Sequence, residues 1–107
     1  MGTRVLLEPS EVSRRMRIRP GWSTDDSGTI MSKSLRFADF KQAFAFMTEV
    51  ALWAEQLDHH PDWSNAYNRV DIALTTHDSG GLSALDFSLA ERIDEVASRF
   101  NLVEQAP

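Results

Sequence analysis

The 107-residue chain contains no cysteine. That excludes disulfides, thiolate metal sites and cysteine nucleophiles, and it fits a reducing compartment. No apolar run approaches the roughly 20 residues a membrane helix needs. The opening residues, Met1-Gly2-Thr3-Arg4-Val5-Leu6, lack the apolar stretch of a secretory signal, and Leu6 stands where a myristoylation signal has Ser or Thr. Positive charge is scarce: 11 Lys and Arg against 16 Asp and Glu give a net charge of −5, which argues against a broad nucleic-acid surface. No G-x-S-x-G elbow occurs, and Gly80-Gly81 lacks the remainder of a phosphate loop. Repeats, low-complexity tracts and linkers are also missing. These absences predict a soluble, cytoplasmic protein of one domain over residues 1–107, with residues 1–9 as a loose lead-in and with neither membrane nor direct nucleic-acid binding.

What is present is periodic. Ser10 is placed to cap a short helix over Glu11–Ile18, which Pro20-Gly21 stops, and Arg14, Arg15, Arg17 and Arg19 read as its solvated face. Trp22–Thr24 and Thr29–Phe37 read as two strands joined by a turn at Asp25-Asp26-Ser27-Gly28. From Asp39 to about Leu57, apolar residues at Phe40, Ala43, Phe44, Met47, Val50, Ala51 and Ala54 mark a helix lying on a core. Pro61 disfavours helical geometry in the residue before it, so His59-His60-Pro61 ends that helix. Trp63–Thr76 reads as strand, with Val70, Ile72 and Leu74 on one face; Asn65–Asn68 is either a short separate strand or a bend. Ser83-Ala84-Leu85-Asp86 has the form of a capping box, with Leu82 and Phe87 placed as a hydrophobic staple, for a helix from Ala84 to about Phe100. Helices with one apolar face would cover one side of a mainly antiparallel sheet, an α+β layout. The other sheet face or an edge strand would then be open to self-association.

The three histidines, His59, His60 and His77, all fall within this middle stretch, interleaved with Glu55, Asp58 and Asp78. Histidine titrates near neutrality and can both give and take a proton. A helix end and a strand end commonly meet at one sheet edge, where loops build sites. If the helix persists, Glu55 and His59 share a face. Taken singly, each histidine reads more readily as structural: His59-His60 as a polar helix end that favours the dipole, His77 as a hydrogen-bonded loop residue. A metal reading through Glu55, His59 and His77 is chemically open. Adjacent histidines are not a standard ligand spacing, however, so no metal is expected.

The stretch Glu55-Gln56-Leu57-Asp58-His59-His60-Pro61-Asp62-Trp63, followed by Tyr67-Asn68-Arg69-Val70, Thr75-Thr76-His77-Asp78, Gly81-Leu82-Ser83 and Asp86, closely resembles the pterin-4a-carbinolamine dehydratase family. Phe37–Met47 also looks like that family's long helix, and the likeness spans about residues 10–100. It implies a four-stranded antiparallel sheet with helices on one face, assembling as a homodimer or homotetramer. It implies a cofactor-free hydro-lyase, a 4a-hydroxytetrahydrobiopterin dehydratase that converts 4a-hydroxytetrahydropterin to quinonoid dihydropterin in tetrahydropterin recycling. His59, His60 and His77 would be catalytic, and Asp58, Thr75, Thr76 and Asp78 would join them in binding substrate, with Glu55 as a supporting acid. On this reading His59 and His77 exchange protons while His60 orients the ring. Ser79 and Leu85 stand where animal members have Cys and Arg. Animal members also bind a homeodomain transcription factor, so a protein-binding module that stabilises a partner dimer is the alternative.

Overall fold

The computed structural model describes residues 4–103. Residues 1–3 of the expected lead-in lie outside the described residues. The elements run α1 (Pro9–Met16), β1 (Ser23–Thr24), β2 (Met31–Arg36), α2 (Phe40–Leu57), β3 (Asp62–Ala66), β4 (Arg69–Leu74), a 3₁₀ turn (His77–Ser79) and α3 (Ala84–Ala97). The strands form one antiparallel sheet in the order β1-β2-β4-β3. Its helix-covered face carries Met31, Leu35, Val70, Ile72 and Leu74, and these pack with Phe46, Val50, Leu89 and Ile93 into one core. The α+β reading therefore holds. Among the described residues, no helix is long and apolar enough to cross a membrane.

α1 begins earlier than the capping argument suggests. Pro9 occupies its first turn, where a missing N–H costs nothing, and Glu8 precedes it without a side-chain cap. Ser10 therefore lies inside the helix. The arginines are not simply solvated. Arg14 and Arg15 pair with Glu11, and Arg19 reaches Asp94 of α3 at 3.1 Å. Asp94 also accepts from Trp22 Nε1 at 3.0 Å and Lys33 Nζ at 2.9 Å, fastening β1 and β2 to α3.

The β1–β2 turn forms where expected. Asp25 accepts from the Thr29 amide at 2.9 Å and the Ile30 amide at 3.2 Å. Desolvation pushes its carboxyl upward, but hydrogen bonds from Ile30, Ser27 and Thr29 outweigh this and hold it below its ordinary range. Asn65–Asn68 resolves as a hairpin: β3 runs to Ala66 and turns at Tyr67-Asn68, with Tyr67 at φ 54°.

α2 is capped by Asp39, whose side chain accepts from the Gln42 amide. Its buried residues are Ala43, Phe46, Val50 and Ala54. Phe40 and Phe44, assigned by periodicity to the core side, are exposed, and Ala51 is too. The cause is a helix with apolar residues on two faces, so spacing identifies a helix without choosing which stripe turns inward. Phe46 wins because Phe37 and Phe100 build an aromatic pocket for it, with ring centroids 4.8 and 6.3 Å away.

Candidate active site

The site starts from how α2 stops. Asp58 takes the left-handed conformation, φ 52° and ψ 44°. Its amide donates to the Glu55 carbonyl at 3.2 Å, and the His59 amide reaches back to the Ala54 carbonyl at 3.0 Å. This is the Schellman pattern, with Asp where Gly is usual. The reversal ends helical registry at Leu57 and sends the two adjacent histidines to opposite sides.

His59 turns inward and is only 6% exposed. Its Nε2 lies 2.6 Å from Oδ1 of Asp86, which is fully buried in the first turn of α3. His60 turns outward, and its Nε2 lies 2.6 Å from Glu55 Oε2. The expected pairing of Glu55 with His59 is therefore corrected. The four-residue rule needs the helix to continue, and the left-handed turn at Asp58 gives Glu55 to His60 instead. His77 sits in the 3₁₀ turn after β4, largely exposed, with Nε2 3.3 Å from Asp62 Oδ2 at the start of β3. Each histidine thus has its own carboxylate.

Asp86 is the hub beneath the site. Oδ2 accepts from the Ser83 amide at 2.9 Å and the Thr76 hydroxyl at 2.7 Å, while Oδ1 faces His59. One residue closes the capping box of α3 and fixes a histidine ring. An ionised Asp86 carboxylate can only accept, which assigns the shared proton to His59 Nε2 and the lone pair of a neutral ring to Nδ1. The Thr75 hydroxyl donates to the Thr29 carbonyl at 2.7 Å. The protons of both threonine hydroxyls are thus committed within the protein.

These groups border one cleft of about 280 Å³. His59, His60 and His77 line it together with Asp58, Thr75, Thr76 and Asp78, so the residues expected to form the site are brought to one place. Glu55 stands behind His60 and is not among the lining residues. The sequence reading missed three further lining residues, Arg4, Pro61 and Asp62, along with the role of Asp86. Pro61, Asp62 and Asp86 stand within the quoted motif, and that spacing was the signal available for them. Nothing in the sequence pointed to Arg4.

The match to known proteins agrees with this geometry. The family model described as pterin 4 alpha carbinolamine dehydratase matches residues 5–96. The chain belongs to that family. It is 52% identical over 90 residues to a Rhodospirillum rubrum protein named "Putative pterin-4-alpha-carbinolamine dehydratase", covering 84% of this chain and 94% of the relative. A Rhizorhabdus wittichii protein of the same name is 59% identical over 78 residues, covering 73% and 80%. Among solved structures, a Brucella melitensis protein titled transcriptional coactivator/pterin dehydratase superposes with a TM-score of 0.82 at 44% identity, covering 85% of this chain and 97% of that one. A pterin dehydratase-like protein identified as a RuBisCO assembly factor in the alpha-carboxysome has a TM-score of 0.63 at 23% identity, over 72% and 89%, which shows a shared fold.

Proposed function

We propose that the cleft dehydrates a 4a-hydroxytetrahydropterin by histidine acid–base catalysis. The observation that carries this is the convergence of three histidines, each beside a different carboxylate, on one cleft. In the reaction the C4a–O bond breaks and the hydroxyl leaves as water after receiving a proton. The N5 proton is lost as the C4a–N5 double bond of the quinonoid product forms. The two transfers need one donor and one acceptor on the same small ring, and positioned groups of this kind typically contribute about 10²–10⁴-fold each.

His59 is the best base candidate. Asp86 fixes its orientation and leaves Nδ1 free of the ring proton. His77, near Asp62 on the opposite wall, is assigned as the acid for the leaving hydroxyl, and His60 as the ring-orienting group. Asp58 and Asp78 are assigned to polar atoms of the pterin. Thr75 and Thr76 supply acceptor lone pairs and shape, since their protons are spent. The step requires no cofactor. The physiological setting we assign is tetrahydropterin recycling in the cytoplasm.

Alanine variants at the three histidines test this, with dehydration of 4a-hydroxytetrahydropterin followed beside the uncatalysed rate. Loss of rate at His59 and His77 with a raised KM at His60 is expected. Wild-type rates in all three correctly folded variants would sink the assignment.

The second reading is supported by α2. Phe40, Phe44 and Leu52 are 46%, 57% and 67% exposed on its outer side, and the Phe40 and Phe44 rings lie tilted by 35° with centroids 5.8 Å apart. We assign this stripe to self-association, as a homodimer or homotetramer. The open sheet face is the weaker candidate because it is polar, with Ser34 bonded to Asp71 and Arg69 paired with it. A protein-binding role, as the word coactivator in the Brucella protein's title suggests for that protein, would use the same stripe.

A further inference from the structure

We propose that residues 4–7 form a strap belonging to the site, and that Arg4 is a positioning residue setting the spacing between its two histidine-bearing walls. The inference deepens the dehydratase reading and rests on it for its substrate. One wall is the end of α2, carrying His59 and His60; the other is the turn after β4, carrying His77. Among the described residues, the strap is tied to both. The Arg4 guanidinium donates through Nη2 to the Asp58 carbonyl at 2.7 Å, with the Asp58 carboxylate 3.6 Å away. The Arg4 carbonyl accepts from the Ser79 hydroxyl, and the Leu7 amide donates to the Leu82 carbonyl at 2.9 Å.

Packing follows the same line. A Cβ built on Gly81 would come within 2.8 Å of Leu6 Cδ1, so the tip of the Leu6 side chain rests directly on the turn. The Asp58 carbonyl that Arg4 holds belongs to the residue in left-handed conformation. The guanidinium thus buttresses the one backbone position whose geometry sends His59 inward and His60 outward. Arg4 is also the only Lys or Arg among the residues lining the cleft, which it shares with Asp58, Asp62 and Asp78. It offsets their charge around a neutral substrate.

The chemistry of His59 is fastened from beneath by Asp86 and does not pass through the strap. Loosening the strap therefore weakens substrate binding more than proton transfer. Two variants, Arg4→Ala and Ser79→Ala, cut the two ties made at Arg4, one to each wall, and Arg4→Lys restores one charged donor. With 4a-hydroxytetrahydropterin, Arg4→Ala is expected to raise KM several-fold, with about tenfold, the worth of one charge-assisted hydrogen bond, as the ceiling, while kcat changes little. Affinity for 7,8-dihydrobiopterin, read by fluorescence, should fall in parallel, and Arg4→Lys should recover part of both. Hydrogen exchange at the Leu7 amide should quicken in both cut variants while the α3 core stays protected.

Unchanged KM, pterin affinity and Leu7 exchange in both cut variants would overturn the strap. So would a fall in kcat at constant KM, which would place Arg4 in the chemical step. Failure of the dehydratase reading looks different: the wild-type protein would then give no acceleration. The strap itself would then stand or fall on Leu7 exchange in the two cut variants.

Discussion

Replacing Asp86 with Asn separates the two tasks of this residue. Asn is the same size and keeps one acceptor oxygen. Placed at the Oδ2 position, that oxygen still accepts from the Ser83 amide and the Thr76 hydroxyl, so the capping box of α3 survives. The new amide nitrogen then occupies the Oδ1 position, 2.6 Å from His59 Nε2. Two donors cannot face each other there, so the His59 proton must move to Nδ1 and Nε2 must accept. The structural cost is the exchange of charge-assisted for neutral hydrogen bonds, about 1–2 kcal/mol, or roughly 5–10 °C in Tm for a domain of this size. The catalytic cost is far larger, because the nitrogen assigned as base now carries the proton. A loss of about 10²–10⁴-fold in kcat/KM is expected. Nitrogen-15 NMR of the imidazoles reads the tautomer, dehydration kinetics read the activity, and urea denaturation reads the stability. A variant that shows the swapped tautomer with wild-type kcat/KM would refute the role given to His59. Asp86→Ala is the contrast. It leaves the Ser83 amide and His59 Nε2 without their acceptor, while the Thr76 hydroxyl keeps only Ser83 Oγ, and should be markedly less stable than Asp86→Asn.

Asp58→Gly should raise stability by about 0.5–1 kcal/mol, since glycine adopts the left-handed conformation without strain; a wild-type KM in this variant would remove the Asp58 carboxylate from the binding set. Glu11 titrates at about 2 rather than its ordinary 4.5, first because Arg14 and then because Arg15 hydrogen-bonds its charged form. A depressed carboxyl stabilises the fold above its unfolded value and loses that contribution as pH falls from about 4.5 towards 2. Glu11→Gln should therefore show a shallower loss of urea resistance across that window, and equal slopes for the two proteins would contradict the pairing. Phe44→Glu, on the outer side of α2, should leave the fold intact and shift the protein to monomer in sedimentation velocity; an unchanged sedimentation coefficient would move the self-association surface elsewhere.

Local chemistry was legible in the sequence wherever neighbours in the chain settle the outcome. The Asp25–Gly28 turn, the Asp39 start of α2 and the Ser83–Asp86 box all appear as read, because turns and caps are short-range hydrogen-bond problems. The alternation in β4 also survives, with Val70, Ile72 and Leu74 buried, since a strand in a one-sided sheet has only two faces to choose between. It was the resemblance carried by the whole motif, and not the histidine spacing alone, that grouped His59, His60 and His77 as a candidate site, and the three do line one cleft. Tertiary structure decided the rest. It chose Phe46 over Phe44 as the core residue of α2, because only one side met the Phe37 and Phe100 rings. It gave Glu55 to His60 and Asp86 to His59, because one left-handed residue broke the helical registry between them. It also laid Arg4 across the cleft, 54 residues from the carbonyl it holds. Periodicity reports which residues are neighbours along an element. The partner of a buried imidazole is fixed by how two elements meet, and that information is spread over the whole core.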